Sequence, residues 1–251
     1  MNLDRLPPFS PILNRLLATI AEEDVSFAHV ADLIEKDTVL AGNVLGVVNS
    51  ALYGFDGTVN SVRHAVAILG MNKLRNVALS MSITRMWGRA RTPLGWSTAR
   101  FNLHSAAAAV LADLLSQRVD VPYPEGGFVA GLLHDIGKLL IAVSQPDEPY
   151  DPEETGFAHA ELSGAVLAHW NLPLPIQEAV LLHHAPGGEP HLSWLVSAAD
   201  RLANDLGHTL MPQPPVPEIP ADCLDALGIG GELPSLLEQF ETEFTALKQY
   251  F

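Results

Sequence analysis

The segment from residue 127 to residue 143, GFVAGLLHDIGKLLIAV, constrains the fold more than any other part of the chain. Its apolar residues recur at intervals of three and four, the spacing of a helix packed into a protein core; they are Phe128, Val129, Leu132, Leu133, Ile136, Leu139 and Leu140. His134, Asp135 and Lys138 interrupt this pattern in the middle. The segment therefore predicts a single buried helix, near Gly126–Val143, that carries a polar site.

The three polar residues are predicted to share one face of that helix, because residues three and four apart are neighbours on a helical surface. Gly131 and Gly127 lie one and two turns back on the same side, so we expect room there for a ligand to approach. A buried His–Asp pair beside a lysine that reaches to solvent is the alternative interpretation.

The helical period continues through the rest of the chain, and no segment shows a convincing strand pattern. Ser10 and Ser26 are expected helix caps, with Pro11 at the first helical position, and two helices are parted near Gly70. A turn is expected at Gly54. Further helices are predicted at Ser97–Gln117, His159–Trp170, Pro175–His184, Leu192–Leu206 and Leu233–Phe251.

The predicted fold is therefore all-α, with two helical lobes. Residues 1–92 form the first lobe, and the sequence RTPLGW supplies the proline and glycine of a boundary. Residues 93–210 form the second lobe, which carries the polar site. Residues 211–251 comprise a proline-rich connector and a last amphipathic helix packed on the domain.

Composition narrows the class of protein. Apolar residues make up 48% of the chain and charged residues 17%, which indicates a globular protein. The net charge of −15 opposes binding to nucleic acid or to an anionic membrane. Cys223 is alone and cannot form an internal disulfide, and the N-terminal sequence lacks the features of a signal peptide. We expect a cytoplasmic protein without a membrane span.

Five predicted helices each carry histidine or aspartate against an apolar background. Besides the 127–143 helix, four helices contribute His104, His159, the His183–His184 pair and Asp200. Each of these groups alone could be a cap or a hydrogen-bonded core residue, but an unpaired buried polar group costs about 1–3 kcal/mol. One divalent ion shared among them would remove that cost. Nitrogen and oxygen ligands without thiolate suit iron, manganese, zinc or magnesium.

The order His104, His134–Asp135, Asp200 resembles the signature of the HD superfamily of metal-dependent phosphohydrolases. In detail, residues 5–205 most resemble an HDOD domain, the HD-related output domain of bacterial signalling proteins. The segments that carry this resemblance are LPPFSPILNRLLATI, LIEKDTVLAGNVLGVVNSALYG, SVRHAVAILGMNKLRNVAL, LLHDIGKLL, HAELSGAVLAHWNLP and AVLLHHAP. The resemblance implies an all-helical two-lobe domain with a regulatory role and a protein partner.

The same resemblance assigns roles to the site residues. It implies a first divalent ion at His104, His134, Asp135 and Asp200. The extra histidines His159, His183 and His184 match the second ion of the HD-GYP branch, with Asp135 as the bridge and Lys138 facing a substrate phosphate. One or two ions are therefore expected, with iron or manganese favoured and zinc or magnesium as alternatives. Ala185 replaces the glutamate usual in that branch, and no GYP motif follows.

Three functions remain open on this basis, and two of them have support in the sequence. One is a regulatory HDOD protein whose metal site is structural or sensory. The other is a metal-dependent phosphohydrolase acting on a nucleotide or phosphodiester, including a cyclic dinucleotide, in which Asp135 orients the attacking water and Lys138 stabilises the anion. Oxygen activation at a di-iron centre is a third, which nothing in the chain demands.

Overall fold

The computed structural model describes residues 10–20, 25–50, 58–88, 90–151, 158–213 and 216–248. All regular structure in these ranges is helical and none is strand, which confirms the all-α prediction. The α-helices are α1 (Pro11–Ala18), α2 (Phe27–Glu35), α3 (Thr38–Val48), α4 (Val62–Leu69), α5 (Met71–Trp87), α6 (Thr98–Ser116), α7 (Gly127–Leu133), α8 (Ile136–Ser144), α9 (Ala158–His169), α10 (Leu174–Leu181), α11 (Leu192–Asp205), α12 (Asp222–Asp225) and α13 (Leu233–Lys248). Short 3₁₀ turns precede α7 and α13.

The described helices group into two compact units. One unit contains α1 to α5 together with the last residues of α13, from Thr245 onward. The other unit, called here the second unit, contains α6 to α12 and the rest of α13 up to Phe244. All the candidate site residues belong to the second unit.

Local capping chemistry fixes the helix starts that the sequence predicts. Ser10 accepts a hydrogen bond from the N–H of Leu13 at 3.1 Å, and Ser26 accepts one from the N–H of His29 at 3.2 Å. Gly70 separates α4 from α5 with a φ of 78°, a conformation that glycine adopts readily. The turn expected at Gly54 lies outside the described residues.

The segment predicted as one helix, Gly126–Val143, is instead two. Helix α7 ends at Leu133, and Asp135, with φ −101° and ψ 11°, leaves helical geometry before α8 begins at Ile136. The apolar residues on both sides of the break keep the same phase, so their spacing gives no sign of it. The break frees the carboxylate of Asp135 from the side of a regular helix, and Asp135 makes no side-chain capping bond to α8.

The sequence predicts space for a ligand beside Gly127 and Gly131. The backbone of α6 fills that space, so this prediction is wrong. A Cβ on Gly131 would lie 2.6 Å from the carbonyl oxygen of Ala108, and one on Gly127 would lie 2.9 Å from that of Ala112. Both glycines therefore let α7 approach the backbone of α6 directly, and no ligand fits between the two helices.

Helices α6, α7 and α11 form the core of the second unit, with α6 packed against both α7 and α11. The alanines from Ala106 to Ala109 are fully buried at this junction. The span Pro124–Ser144 is long and apolar enough to cross a membrane, yet 83% of its apolar window is buried inside the structure, as in a core helix of a water-soluble domain.

Candidate metal centre

The structure brings all seven predicted metal ligands into one cluster. Helix α6 carries His104, the α7–α8 break carries His134 and Asp135, α9 carries His159, and α11 carries Asp200. The adjacent pair His183 and His184 follows Leu182, the C-cap of α10, and lies in a turn, whereas the sequence predicted a helix that continued to His184. Three overlapping sets of three of these residues place their ligand atoms within 4.8 Å of one another, close enough to hold an ion. For description, the seven residues are divided into two groups on either side of the Asp135 carboxylate.

The first group consists of His104, His134, Asp135 and Asp200. The Nε2 atoms of His104 and His134 are 3.3 Å apart, and they lie 3.3 Å and 3.6 Å from Oδ1 of Asp200. Oδ2 of Asp135 is 3.4 Å from each of the two Nε2 atoms. Atoms that bind one ion at about 2.0–2.1 Å in a tetrahedral arrangement are about 3.3 Å from one another. The spacing of this group therefore suits a single shared ion.

The second group consists of His159, His183 and His184, beside the other oxygen of Asp135. Nε2 of His159 is 2.9 Å from Nε2 of His184 and 3.1 Å from Oδ1 of Asp135. Nε2 of His183 is 3.9 Å from the same oxygen. The carboxylate of Asp135 therefore faces both groups, with Oδ2 toward the first and Oδ1 toward the second.

Hydrogen bonds to backbone carbonyls fix the tautomer of three of the imidazoles. Nδ1 of His134 donates to the carbonyl of Gly131 at 2.7 Å, and Nδ1 of His183 donates to that of Val180 at 2.6 Å. Nδ1 of His104 donates to the carbonyl of His208 at 2.7 Å. Because a carbonyl only accepts, each Nδ1 carries the hydrogen and each Nε2 is turned toward the cluster. This is the arrangement in which imidazoles bind metals.

The unpaired atoms of the cluster fit a divalent cation. Oδ1 of Asp135 and Nε2 of His183 are buried and make no hydrogen bond in the structure. The Nε2 atoms of His104 and His134 face each other, and both rings already hold a hydrogen on Nδ1. A cation here would give Oδ1 of Asp135 and Nε2 of His183 the partner that each lacks, and buried polar groups in proteins are nearly always paired.

The pKa shifts of the cluster residues indicate which of them are charged when no ion is bound. Burial acts to raise the pKa of Asp135, but the charges of His134 and Lys138 hold it well below the usual value. Burial acts to lower the pKa of His134, but the charge of Asp135 and hydrogen bonds to both carboxylates raise it to about 10. Burial and the nearby charge of His134 lower the pKa of His183 to about 3. His183 is thus the neutral imidazole that a metal requires.

Lys138, which the family resemblance implies faces a substrate phosphate, pairs with the carboxylate of Asp135 in this structure. Its Nζ lies 2.6 Å from Oδ2 of Asp135, and one-fifth of its side chain is exposed. Burial acts to lower its pKa, but the charge of Asp135 raises it, so the ammonium persists at neutral pH. Arg201, the other cation near the site in sequence, pairs with Asp222 at 2.8 Å.

Two features of the site could not be predicted from the sequence. The carbonyl of His208 carries no signature in the sequence, because every residue has one. Gly137 lies within the motif that carries His134, but its packing against the backbone of His159 depends on where α9 lies. A glycine inside an otherwise apolar helix is the signal that could have indicated such a close approach.

Comparisons with known proteins give the family context. The HDOD domain profile matches residues 6–186. An uncharacterised protein of Treponema pallidum (strain Nichols) is 25% identical over 97% of this chain. The chain spans about half, 51%, of the length of that curated relative.

Among the solved structures that match nearly the whole chain, two have TM-scores of 0.77 and 0.70. An HDOD domain protein of unknown function from Geobacter sulfurreducens is 26% identical with a TM-score of 0.77, covering 99% of this chain and 94% of its own. A candidate phosphohydrolase from Shewanella amazonensis SB2B is 22% identical with a TM-score of 0.70, covering 99% and 96%. At that identity the second likeness shows the fold alone.

Proposed function

Because the chain belongs to the HDOD domain family, we propose that it is a cytoplasmic regulatory protein of bacterial signal transduction that holds one or two divalent ions at this cluster. The observation that carries the proposal is the position of Asp135, whose two oxygens face two separate groups of histidines. The buried Oδ1 of Asp135 and Nε2 of His183 support it further, since neither makes a hydrogen bond.

The proposed ion ties together residues from α6, α9, α11 and the turns after α7 and α10. A ligand that binds only the folded state stabilises that state, by about 2.7 kcal/mol at a concentration of 100 times its Kd. Iron or manganese is favoured by the mixture of imidazole and carboxylate, with zinc or magnesium as alternatives. In this proposal a protein partner recognises the ion-bound form of the domain, and that binding is the regulatory output.

Metal analysis of the full chain, purified without chelator, tests the proposal. We expect one or two equivalents of metal in the wild type, and a higher melting temperature with Mn²⁺ than with chelator. Asp135→Asn should lose metal and that stabilisation. Asp147→Asn is the matched control, because Asp147 lies on the surface in an ion pair with Arg91. An empty wild-type protein that Mn²⁺, Fe²⁺ and Zn²⁺ all fail to stabilise would contradict the proposal.

Phosphoester hydrolysis is a second candidate, favoured by the ammonium of Lys138 beside the cluster. A bound divalent ion supplies Lewis acidity toward phosphoryl oxygens. The ionised carboxylate of Asp135 accepts a hydrogen bond from the reacting water and so orients it. Lys138 stabilises the negative charge that develops on the phosphoryl group. The solved relative named as a candidate phosphohydrolase supports this reading by its fold.

A screen of generic phosphodiesters, nucleotides and cyclic dinucleotides with added Mn²⁺ tests hydrolysis. We expect turnover by the wild type and by Asp147→Asn, and none by Asp135→Asn. Full metal occupancy without turnover on any of these substrates would favour the regulatory role alone.

A further inference from the structure

We propose that the segment following α11 positions the ligand His104, through the backbone carbonyl of His208. The inference rests on the proposed metal binding and adds a positioning residue to it. His208 lies beyond residue 186, where the family profile stops, so the family match does not include it.

The hydrogen-bond acceptor of His104 lies far from it in the sequence, unlike those of His134 and His183. His134 and His183 each donate to a carbonyl three residues earlier, within their own turns. His104 donates to a carbonyl 104 residues later in the chain. Its ring orientation therefore depends on tertiary structure, whereas the orientations of His134 and His183 are set locally.

A helix-ending motif carries the His208 carbonyl to His104. Gly207 follows the end of α11 with a φ of 85°, in the left-handed region that favours glycine. Its N–H donates to the carbonyl of Asn204, and the N–H of His208 donates to that of Ala203, both at 2.9 Å. These two bonds form a Schellman motif, which reverses the chain direction at a helix end.

Helix α13 holds the ring of His208 in place. The ring centroid of Phe244 lies 4.6 Å from that of His208, and the centroid of Phe240 lies 6.0 Å away. Both phenylalanines are 1% exposed and stack on each other with centroids 5.1 Å apart. Arg118, just after α6, bonds to Gln239 of α13 at 2.8 Å. Packing thus connects α13, through His208, to the helix that carries His104.

The consequence concerns the tautomer of His104. With Nδ1–H held by the His208 carbonyl, Nε2 presents its lone pair to the first group of ligands. Without that bond the ring is free to rotate or to place its hydrogen on Nε2. Loss of such an outer partner lowers metal affinity by about 10–100-fold.

Two variants of the full chain test the role of the segment. Phe244→Ala removes the closer of the two ring contacts on His208, and Gly207→Ala strains the turn that presents its carbonyl. The first readout is a Co²⁺ titration followed by visible absorption, which reports the ligand field. We expect both variants to bind the first equivalent of Co²⁺ about 10–100-fold more weakly, with an altered spectrum. Leu236→Ala is the control, because Leu236 is fully buried about two turns from Phe244 on the same helix.

The second readout needs no metal. In ¹⁵N-labelled protein without metal, the Nδ1 proton of His104, assigned with His104→Gln, should exchange slowly with solvent in the wild type. It should exchange quickly in Gly207→Ala. Equal Co²⁺ affinity in all variants, or fast exchange in the wild type, would overturn the inference. A wild type that binds no Co²⁺ but shows slow exchange would contradict the metal proposal and leave the positioning contact standing.

Discussion

Gly137 packs so closely on His159 that a Cβ atom at Gly137 would overlap the carbonyl oxygen of His159. The N–H of Gly137 also donates to Oγ of Ser163, one turn further along α9, at 2.8 Å. These contacts join the first turn of α8 to α9 beside the break at Asp135. The distance between Asp135 and His159 is therefore set by the absence of a side chain at Gly137.

Gly137→Ala should damage the second group of ligands. The methyl group has no space against the His159 backbone, so α9 must shift, and overpacking of this kind costs about 1–3 kcal/mol. We expect a lower free energy of unfolding and a loss of about one equivalent of bound metal. Gly42→Ala is the control, because nothing lies within 4 Å of a Cβ on Gly42 and alanine favours a helix interior. Unchanged stability and metal content in Gly137→Ala would contradict this account.

Lys138→Gln should separate metal binding from phosphoester chemistry. The substitution removes the ammonium but none of the proposed ligand atoms, so we expect metal content close to that of the wild type. Any hydrolysis should fall by about 100-fold or more in kcat, as when one stabilising donor is removed from a transition state. Lys36→Gln, at an exposed lysine, is the control. Hydrolysis that survives in Lys138→Gln would exclude the role proposed for this ammonium.

Asp37 should make stability depend on pH in acid. It caps α3, with Oδ1 accepting from the N–H groups of Val39 and Leu40 at 3.0 Å, and it pairs with Arg85 at 3.0 Å. Burial acts to raise the pKa of Asp37, but the N–H of Leu40 and the Arg85 guanidinium lower it below 3.8 overall. A lowered folded pKa means that the stabilisation is present above the unfolded pKa and is lost as pH falls through the folded one.

Substitution of Asp37 by alanine and by asparagine tests that sign. Asp37→Ala should cost about 1 kcal/mol in urea denaturation at neutral pH, since it removes the cap. Asp37→Asn keeps a capping oxygen but loses the charge. Its deficit relative to the wild type should shrink as pH falls below 3.8. A deficit that stays constant into strong acid would show that the charge of Asp37 does not contribute.

Asn49→Ala should destabilise the unit that contains α1 to α5. Nδ2 of Asn49 donates to the carbonyls of Leu45 and Val59 at 2.9 Å and 2.8 Å, and Oδ1 accepts from the N–H of Val59 at 2.8 Å. Loss of these bonds should lower the free energy of unfolding by about 1–3 kcal/mol, measured by urea denaturation. Asn43→Ala, at an exposed position of α3, should change it little. Equal effects of the two substitutions would contradict the role of Asn49.

Local signals in the sequence predict the helices, while tertiary contacts decide the details of the site. Ser10, Ser26 and Gly70 mark helix ends by their own chemistry, so these predictions are confirmed. The break at Asp135 was missed, because the apolar residues before and after it stay in phase. The prediction of space for a ligand beside Gly127 and Gly131 was wrong, because that space depends on how closely α6 approaches α7. The seven candidate ligands do converge, and their role as ligands stays a prediction.

Asp200 lies on α11, and His208 follows that helix. Shortening the chain before α11 would therefore remove both residues. A fragment cut at residue 186, where the family profile stops, would retain His159, His183 and His184 but lose a carboxylate from the first group. Such a fragment would also lack α11, which packs against α6 and α7 in the core of the second unit. A test of the proposed metal binding therefore needs a chain that includes α11 and His208.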